Sequence, residues 1–300
     1  MDIKSFKSFD GKEIFFAEWL PKGEPKGILQ ISHGMAEGIA RYEKFAEFIA
    51  ENGYVVIGDD HRAHGRTDEG RTGYCDGDIF NDTLKDLDIL GRTYKEKYRL
   101  PLVIFGHSYG SFLTQRYIEL YGENVEGAVI GGSAYMKDIT VPAGKVISTI
   151  SCLLGNGKKT AKLLKKASFD VYNKKCEYGT FISSIQEECD IYNAHPDCNF
   201  DLSNAFYKYF FRGLSQLYKK KNYSQIDTEK PVLLISGKDD PVGGYGKLVE
   251  KLEDFYRVKV GVKNVTAVIY DGVRHEYLND ISREDAYKTI LGFLNGISGK

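Results

Sequence analysis

An α/β architecture, a mostly parallel sheet with helices on both faces, is predicted by three observations. Short apolar runs alternate with helix-like segments along the chain, the pattern of a parallel sheet buried on two sides. One of these runs, Leu102-Val103-Ile104-Phe105, passes directly into Gly106-His107-Ser108-Tyr109-Gly110-Ser111 and then into a helix-like stretch. Between residues 134 and 225, by contrast, no core strand is recognisable, which predicts an insertion over the carboxyl ends of the strands.

Each element follows from its residues. Residues 6–19 hold Asp10-Gly11 between two semi-alternating runs and predict an antiparallel hairpin that opens the sheet. Ile28-Leu29-Gln30-Ile31-Ser32 predicts the next strand, followed by a helix over 41–52 and the strand Tyr54-Val55-Val56-Ile57-Gly58. Leu84, Leu87, Leu90 and Tyr94 fall on one helical stripe within 80–98. The strand at 102 and a helix over 112–120 come next, then a strand over 125–131. Pro231-Val232-Leu233-Leu234-Ile235-Ser236 and Val265-Thr266-Ala267-Val268-Ile269-Tyr270 read as buried parallel strands. The expected organisation is a core of residues 1–133 and 226–300, with residues 134–225 as a helical cap.

The strand, the Gly-x-Ser-x-Gly turn and the helix together predict a nucleophile elbow, in which Ser108 projects its hydroxyl from a cramped turn. Gly106 and Gly110 remove side chains that would collide where strand and helix pass closely. An activated serine needs a base, and that base needs an acid to orient it. His275 follows the last strand and is the expected base; His33, His61, His64 and His107 lie earlier in loops of their own, and His195 sits in the middle segment. Asp239 and Asp240 both end the strand at 231, and Asp240 precedes Pro241, which biases its backbone to an extended or turn conformation. The order Ser, Asp, His on strand-end loops is that of α/β-hydrolases. Two backbone donors are expected to hold an oxyanion: the N–H of Tyr109, directly after Ser108, and that of Met35, in the loop that Gly34 lets turn inward.

His33-Gly34-Met35-Ala36-Glu37, Asp60-His61-Arg62-Ala63-His64-Gly65, the elbow, Asp240-Pro241-Val242 and Arg274-His275-Glu276 together resemble the monoacylglycerol lipase and lysophospholipase group of the α/β-hydrolases, the serine aminopeptidase-like hydrolases. The likeness runs over nearly the whole chain, tightest in the two core segments. It implies Ser108 as nucleophile, His275 as base, Met35 and Tyr109 as oxyanion donors, a helical cap, and no metal or organic cofactor. In that group the acid falls three residues after the strand-end glycine, which matches Asp240 and not Asp239. One departure is visible: Gly38 stands where many members carry histidine.

Composition sets the remaining expectations. A net charge of −1 argues against nucleic acid as a partner, and no apolar run reaches the ~20 residues a spanning helix needs. The start, Met1-Asp2-Ile3-Lys4-Ser5, lacks a basic leader before an apolar core, and the five scattered cysteines form no Cys-x-x-Cys pair; a cytoplasmic protein with reduced thiols is expected. Residues 134–225 carry 14 Lys and Arg against 8 Asp and Glu, so the segment is positive while the rest is negative. An apolar run at 146–154 beside Lys158, Lys159, Lys162, Lys165 and Lys166 suits transient contact with a membrane or micelle surface, or a solvated helix face over the site. Tyr192, Phe200, Phe206, Tyr207, Tyr209, Phe210, Phe211 and Tyr218 could line an acyl pocket or form the cap's own core. The expected activity is hydrolysis of a lipid-like monoester, a monoacylglycerol or lysophospholipid, through an acyl-enzyme. A small-ester carboxylesterase, an aminopeptidase using Glu187, Glu188 or Asp190 to hold an amine, and a non-catalytic binding protein are the alternatives.

Overall fold

The computed structural model describes residues 1–174 and 176–299. Eight strands form one sheet: β1 (Asp2–Lys7), β2 (Glu13–Trp19), β3 (Gly27–Ser32), β4 (Tyr54–Asp59), β5 (Leu102–His107), β6 (Gly127–Gly131), β7 (Val232–Gly237) and β8 (Val265–Tyr270). Their order is β1-β2-β4-β3-β5-β6-β7-β8. The hairpin β1–β2 is antiparallel and joins β4 antiparallel, and from β4 onward every neighbour is parallel. This is the α/β-hydrolase arrangement.

The central strands are buried on both faces, and the two-residue period of a strand sorts their side chains cleanly. On β5, Leu102 and Ile104 join one apolar layer while Val103 and Phe105 join the other; on β7, Val232 and Leu234 oppose Leu233 and Ile235 in the same way. Helices α1 (Glu43–Glu51) and, near the end of the chain, Arg283–Ser298 fill the second layer through Phe45, Ile49, Ile290 and Leu294. Helices α2 (Ile79–Tyr98) and α3 (Tyr109–Leu120) fill the first through Leu84, Leu87, Phe112 and Leu113.

Between β6 and β7 the described residues contain no strand of the sheet. They hold α4 (Thr140–Ser151), α5 (Lys162–Ala167), α6 (Phe169–Asn173), α7 (Gln186–Ala194), α8 (Asn204–Leu214) and α9 (Lys220–Tyr223). Helix α8 roots this segment in the core. Ser203 caps its start by accepting from the Phe206 N–H at 3.2 Å, and Phe206 and Phe210 pack on the ring of Tyr109. Helix α4 lies on the outside of α8, close enough that a side chain at Gly144 would overlap the Phe211 ring. After β7, α10 (Lys247–Asp254) precedes β8, and Arg283–Ser298 is α11. No helix among the described residues is long and apolar enough to cross a membrane, and all five cysteines are free thiols.

Candidate active site

Ser108 sits between β5 and α3 with φ 52° and ψ −116°, a backbone state that costs a non-glycine residue on the order of 1–3 kcal/mol. The turn is enforced by packing. A Cβ on Gly106 would overlap the Gly110 carbonyl, and one on Gly110 would overlap the Ser32 carbonyl of the neighbouring strand. The Ser108 N–H continues the sheet by donating to the Gly131 carbonyl at 3.0 Å, so the strained residue is held from both sides.

The loops after β7 and β8 bring the other two residues together. His275 Nδ1 lies 2.9 Å from Asp240 Oδ2, with both side chains almost wholly buried. Asp240 Oδ1 accepts the Val242 N–H at 2.8 Å, which fixes the carboxylate plane. Asp239 is exposed to solvent, so burial separates two residues that adjacency alone does not. Burial pushes the His275 imidazole toward its neutral form, but the charge and hydrogen bond of Asp240 outweigh it and lift the pKa above the ordinary 6.5. Ser108 and His275 line one cavity, with about 270 Å³ of empty space, together with Gly34, Met35, Glu37, Phe181 and Tyr192 among others.

The loop after β3 closes the third side. A Cβ on Gly34 would overlap the Glu37 carboxylate and stand 3.2 Å from the Ser108 Cβ, so glycine lets this backbone lie close to both. Among the described residues no protein acceptor takes the N–H of Met35 or of Tyr109. What holds the loop is a group of buried histidines that read, in the sequence, only as loop residues. His33 Nε2 accepts the His61 N–H at 2.9 Å, so His33 Nδ1 carries the proton and donates to the Gly34 carbonyl at 2.7 Å. His64 Nε2 accepts the Ala36 N–H at 3.1 Å, so its Nδ1–H donates to the Arg62 carbonyl at 3.0 Å. The His33 and His61 rings stack at 3.9 Å. Burial keeps His33 and His64 neutral well below 6.5 and brings His61 down to about 4. These side chains are therefore fixed neutral tautomers that shape the Met35 loop. His107 packs behind His275 at 4.7 Å between rings, and His195 accepts the Asp197 N–H at 3.1 Å away from the cavity.

Sequence reading passed over a second group, Glu37, Arg41 and Glu276. Arg41 donates through Nε and Nη2 to Glu276 Oε2 at 3.0 and 2.7 Å, and its Nη1 lies 3.4 Å from Glu188. Glu37 Oε1 accepts the Gly34 N–H and the Tyr42 hydroxyl. The signal for them in the sequence is spacing: Glu37 follows Gly34 by three residues and Glu276 follows His275 directly.

The helical segment contributes unevenly. Tyr192 borders the Ser108 cavity, and Phe200 and Tyr207 border, with it, a neighbouring cavity of about 290 Å³. Phe206, Phe210 and Tyr218 are packed into the core, and neither Tyr209 nor Phe211 borders either cavity. Phe169 and Phe181, which the sequence reading did not single out, border the Ser108 cavity instead. Of the acidic residues offered for an amine, Glu187 and Asp190 are exposed and Glu188 is engaged by Arg41 and by Arg283 at 3.4 Å.

A family described as serine aminopeptidase, S33, matches residues 23–282. The chain belongs to this family. As an S33 member it is a hydrolase, and its relatives agree. A monoacylglycerol lipase of Mycolicibacterium smegmatis is 25% identical over 279 residues, 92% of this chain and 90% of that protein. The human monoglyceride lipase is 26% identical over 200 residues, which span 65% of this chain and 60% of that protein. Among solved structures, a thermostable carboxyl esterase from Bacillus coagulans in complex with glycerol has a TM-score of 0.89 at 27% identity, over 99% of both chains. A lipase in an open form has a TM-score of 0.88 at 23% identity over the whole of both chains, a likeness of fold.

Proposed function

We propose that this S33 hydrolase cleaves carboxylic esters of lipid-like monoesters, monoacylglycerol or lysophospholipid, through a covalent acyl-enzyme. The observation that carries the reading is the buried Asp240–His275 contact opening onto the same cavity as Ser108 and the Met35 loop. Ser108 attacks the ester carbonyl while His275 Nε2 takes its proton. Asp240 holds the imidazole with Nδ1–H toward itself and stabilises the imidazolium as it forms. The N–H groups of Met35 and Tyr109 receive the oxyanion, each worth about 10²–10³ in rate. His275 then returns the proton to the departing alkoxide, and a water activated by the same imidazole releases the acid and restores Ser108.

In this reading residues 134–225 act as the cap over the site. Ile139, Val146, Ile150, Leu153 and Leu154 recur at helical spacing on its outer side, and Ile139 and Leu153 are about 80% exposed. With Lys158, Lys159, Lys162 and Lys166 beside them, they form a surface suited to a membrane or micelle that presents the substrate. A small-ester carboxylesterase is the second reading, favoured by the modest cavity at Ser108.

Hydrolysis should be profiled over monoacylglycerols, lysophospholipids, short p-nitrophenyl esters and aminoacyl amides, comparing the unaltered chain with Ser108→Ala, alongside fluorophosphonate labelling. Turnover highest on the long-chain monoesters, with label on Ser108 and loss of at least about 10⁴-fold in Ser108→Ala, is expected. Preference for short esters selects the second reading. Preference for aminoacyl amides, or no label at Ser108 in the folded protein, overturns the proposal.

A further inference from the structure

Two carboxyl groups border the Ser108 cavity, one on each of the loops that must meet there. Glu37 belongs to the loop that carries Met35, and Glu276 follows His275. Both are almost fully buried, and they share the border of a small cavity with about 180 Å³ of empty space, with Tyr42, His107, Leu278 and Asn279.

Their hydrogen bonds are lopsided in a complementary way. Everything that reaches Glu276 converges on Oε2: Arg41 through two nitrogens, and the Asn279 amide at 2.9 Å. Its Oε1 is buried with no partner. Everything that reaches Glu37 converges on Oε1, from the Gly34 N–H and the Tyr42 hydroxyl. Among the described residues Glu37 forms no ion pair, because Arg41 is spent on Glu276 and Glu188. A buried acceptor with no donor and an acid with no ion pair of its own thus border one cavity. One proton on Glu37 Oε2 answers both needs.

Resting on the ester-hydrolase reading above, we propose that Glu37 and Glu276 act as a proton-sharing pair of positioning residues, which ties the oxyanion loop to the base loop while the proton is present and lets them repel when it is lost. Arg41, which donates to Glu276, tempers the repulsion and pulls the Glu37 pKa down, and both carboxyls in turn favour the protonated form of His275, but burial and Glu276 outweigh Arg41 at Glu37. Tyr42 and Tyr277 are held as neutral phenols by burial, as is Tyr192 on α7, and His107 is held as neutral imidazole. Burial likewise keeps the Cys198 thiol protonated. Glu188 brings a further negative charge, offset by Arg41, Arg283 and the exposed Lys44 at 3.8 Å. In agreement with the geometry, burial first and Glu276 second push the Glu37 carboxyl up to about 7. Because the folded protein holds this proton where an unfolded chain would release it, the pair favours the fold at low pH and loses that contribution as pH rises through the neutral range.

The consequence for catalysis is an alkaline limb of kcat from Glu37 in addition to the acid limb from His275. Beyond it, kcat falls by about tenfold per pH unit. Glu37→Gln keeps the acceptor for Gly34 and Tyr42 and offers a permanent N–H donor toward Glu276, so it abolishes the alkaline limb. Glu37→Ala leaves the Gly34 N–H unheld and lowers kcat at every pH, while KM moves little. The proton itself is read without catalysis, in Ser108→Ala protein, by difference infrared spectroscopy of the neutral carboxylic acid band. Burial also lifts the Asp59 and Glu119 carboxyls to about 7, so the pair is read as the part of the band that fades as pH rises through about 7 in Ser108→Ala and is lost in Ser108→Ala/Glu37→Gln. A titrating band unchanged by Glu37→Gln, or an alkaline limb that survives Glu37→Gln, overturns the pair whatever the enzyme's substrate. A Glu37-dependent band in a protein without esterase turnover upholds the pair and overturns the ester-hydrolase reading instead.

Discussion

The two halves of the helical segment are attached in opposite ways. Residues 177–184 are stitched to the loop that carries His275: Arg274 Nη1 donates to the carbonyls of Glu177, Thr180 and Ser183, the His275 N–H to Phe181, and the Glu276 N–H to Ile182. Asp280 completes the seam by accepting the N–H groups of Ser184 and Arg274 at 3.0 and 2.9 Å. Residues 139–166 touch no part of that loop through such bonds; they stand on α8, with Ile139, Val146, Ile150, Leu153, Leu154 and Leu163 turned outward. The contrast teaches which part can yield. Lifting 177–184 would break a run of hydrogen bonds, most of them partly buried, and displace the proposed base, whereas shifting α4 exchanges one packed face for solvent or lipid.

Removing the seam has the largest expected effect. Asp280 is fully buried, so Asp280→Ala strands several N–H donors without partners and should cost about 3–5 kcal/mol. Thermal melting should drop by roughly 5–15 °C, with loss of turnover on soluble esters as well as on lipids. A melting curve like that of the unaltered chain would mean that the seam holds nothing. Changing the outer half should do the reverse. Ile150→Ser/Leu153→Ser/Leu154→Ser should leave the melting temperature within about 2 °C, because these side chains are already exposed. Turnover of monoester in anionic vesicles should fall by about tenfold or more while a short soluble ester is unaffected. Equal losses on both substrates would assign the outer half to the site itself.

The smallest effect concerns pH. Phe181, from the stitched half, lies 5.1 Å ring to ring from His275 and helps bury it. His275 must be neutral to accept a proton, so kcat/KM rises with pH through its raised pKa. Its stability contribution runs the other way: it is complete below the unfolded value near 6.5 and is lost as pH climbs through the folded one. Phe181→Leu admits water, weakens the burial that opposes protonation, and should move the acid limb of the rate profile up by a few tenths of a unit. Leu154→Ala should not move it. An unmoved limb in Phe181→Leu would separate the stitched half from the electrostatics of the base.

The same contrast explains what could be read in the sequence. The parallel strands were legible because each is a short, doubly buried apolar run, and the positions of Ser108 and His275 were legible because loops at strand ends have nowhere else to point. The preference for Asp240 over Asp239 came from the family spacing and from Pro241, because the burial that separates the two is not advertised by adjacent identical residues. The helices of residues 134–225 were opaque for a related reason. Helices α5, α6 and α9 are too short to show a period, and α4 presents apolar side chains outward, so hydrophobic spacing loses its usual meaning. The histidines of the Met35 loop were hidden because His33 and His61 meet only when β3 and β4 lie side by side.

The positive φ of Ser108 sets chemistry against durability. Glycine adopts that backbone state without steric cost and alanine does not, so two variants that both lack the hydroxyl should part company: Ser108→Gly should outlast Ser108→Ala by about 1 kcal/mol in denaturant unfolding. Selection for robustness alone would drift toward the glycine. As the proposed nucleophile, serine at this address trades that much stability for its hydroxyl, and a descendant that had dropped the proposed reaction would be recognisable by glycine and a relaxed turn.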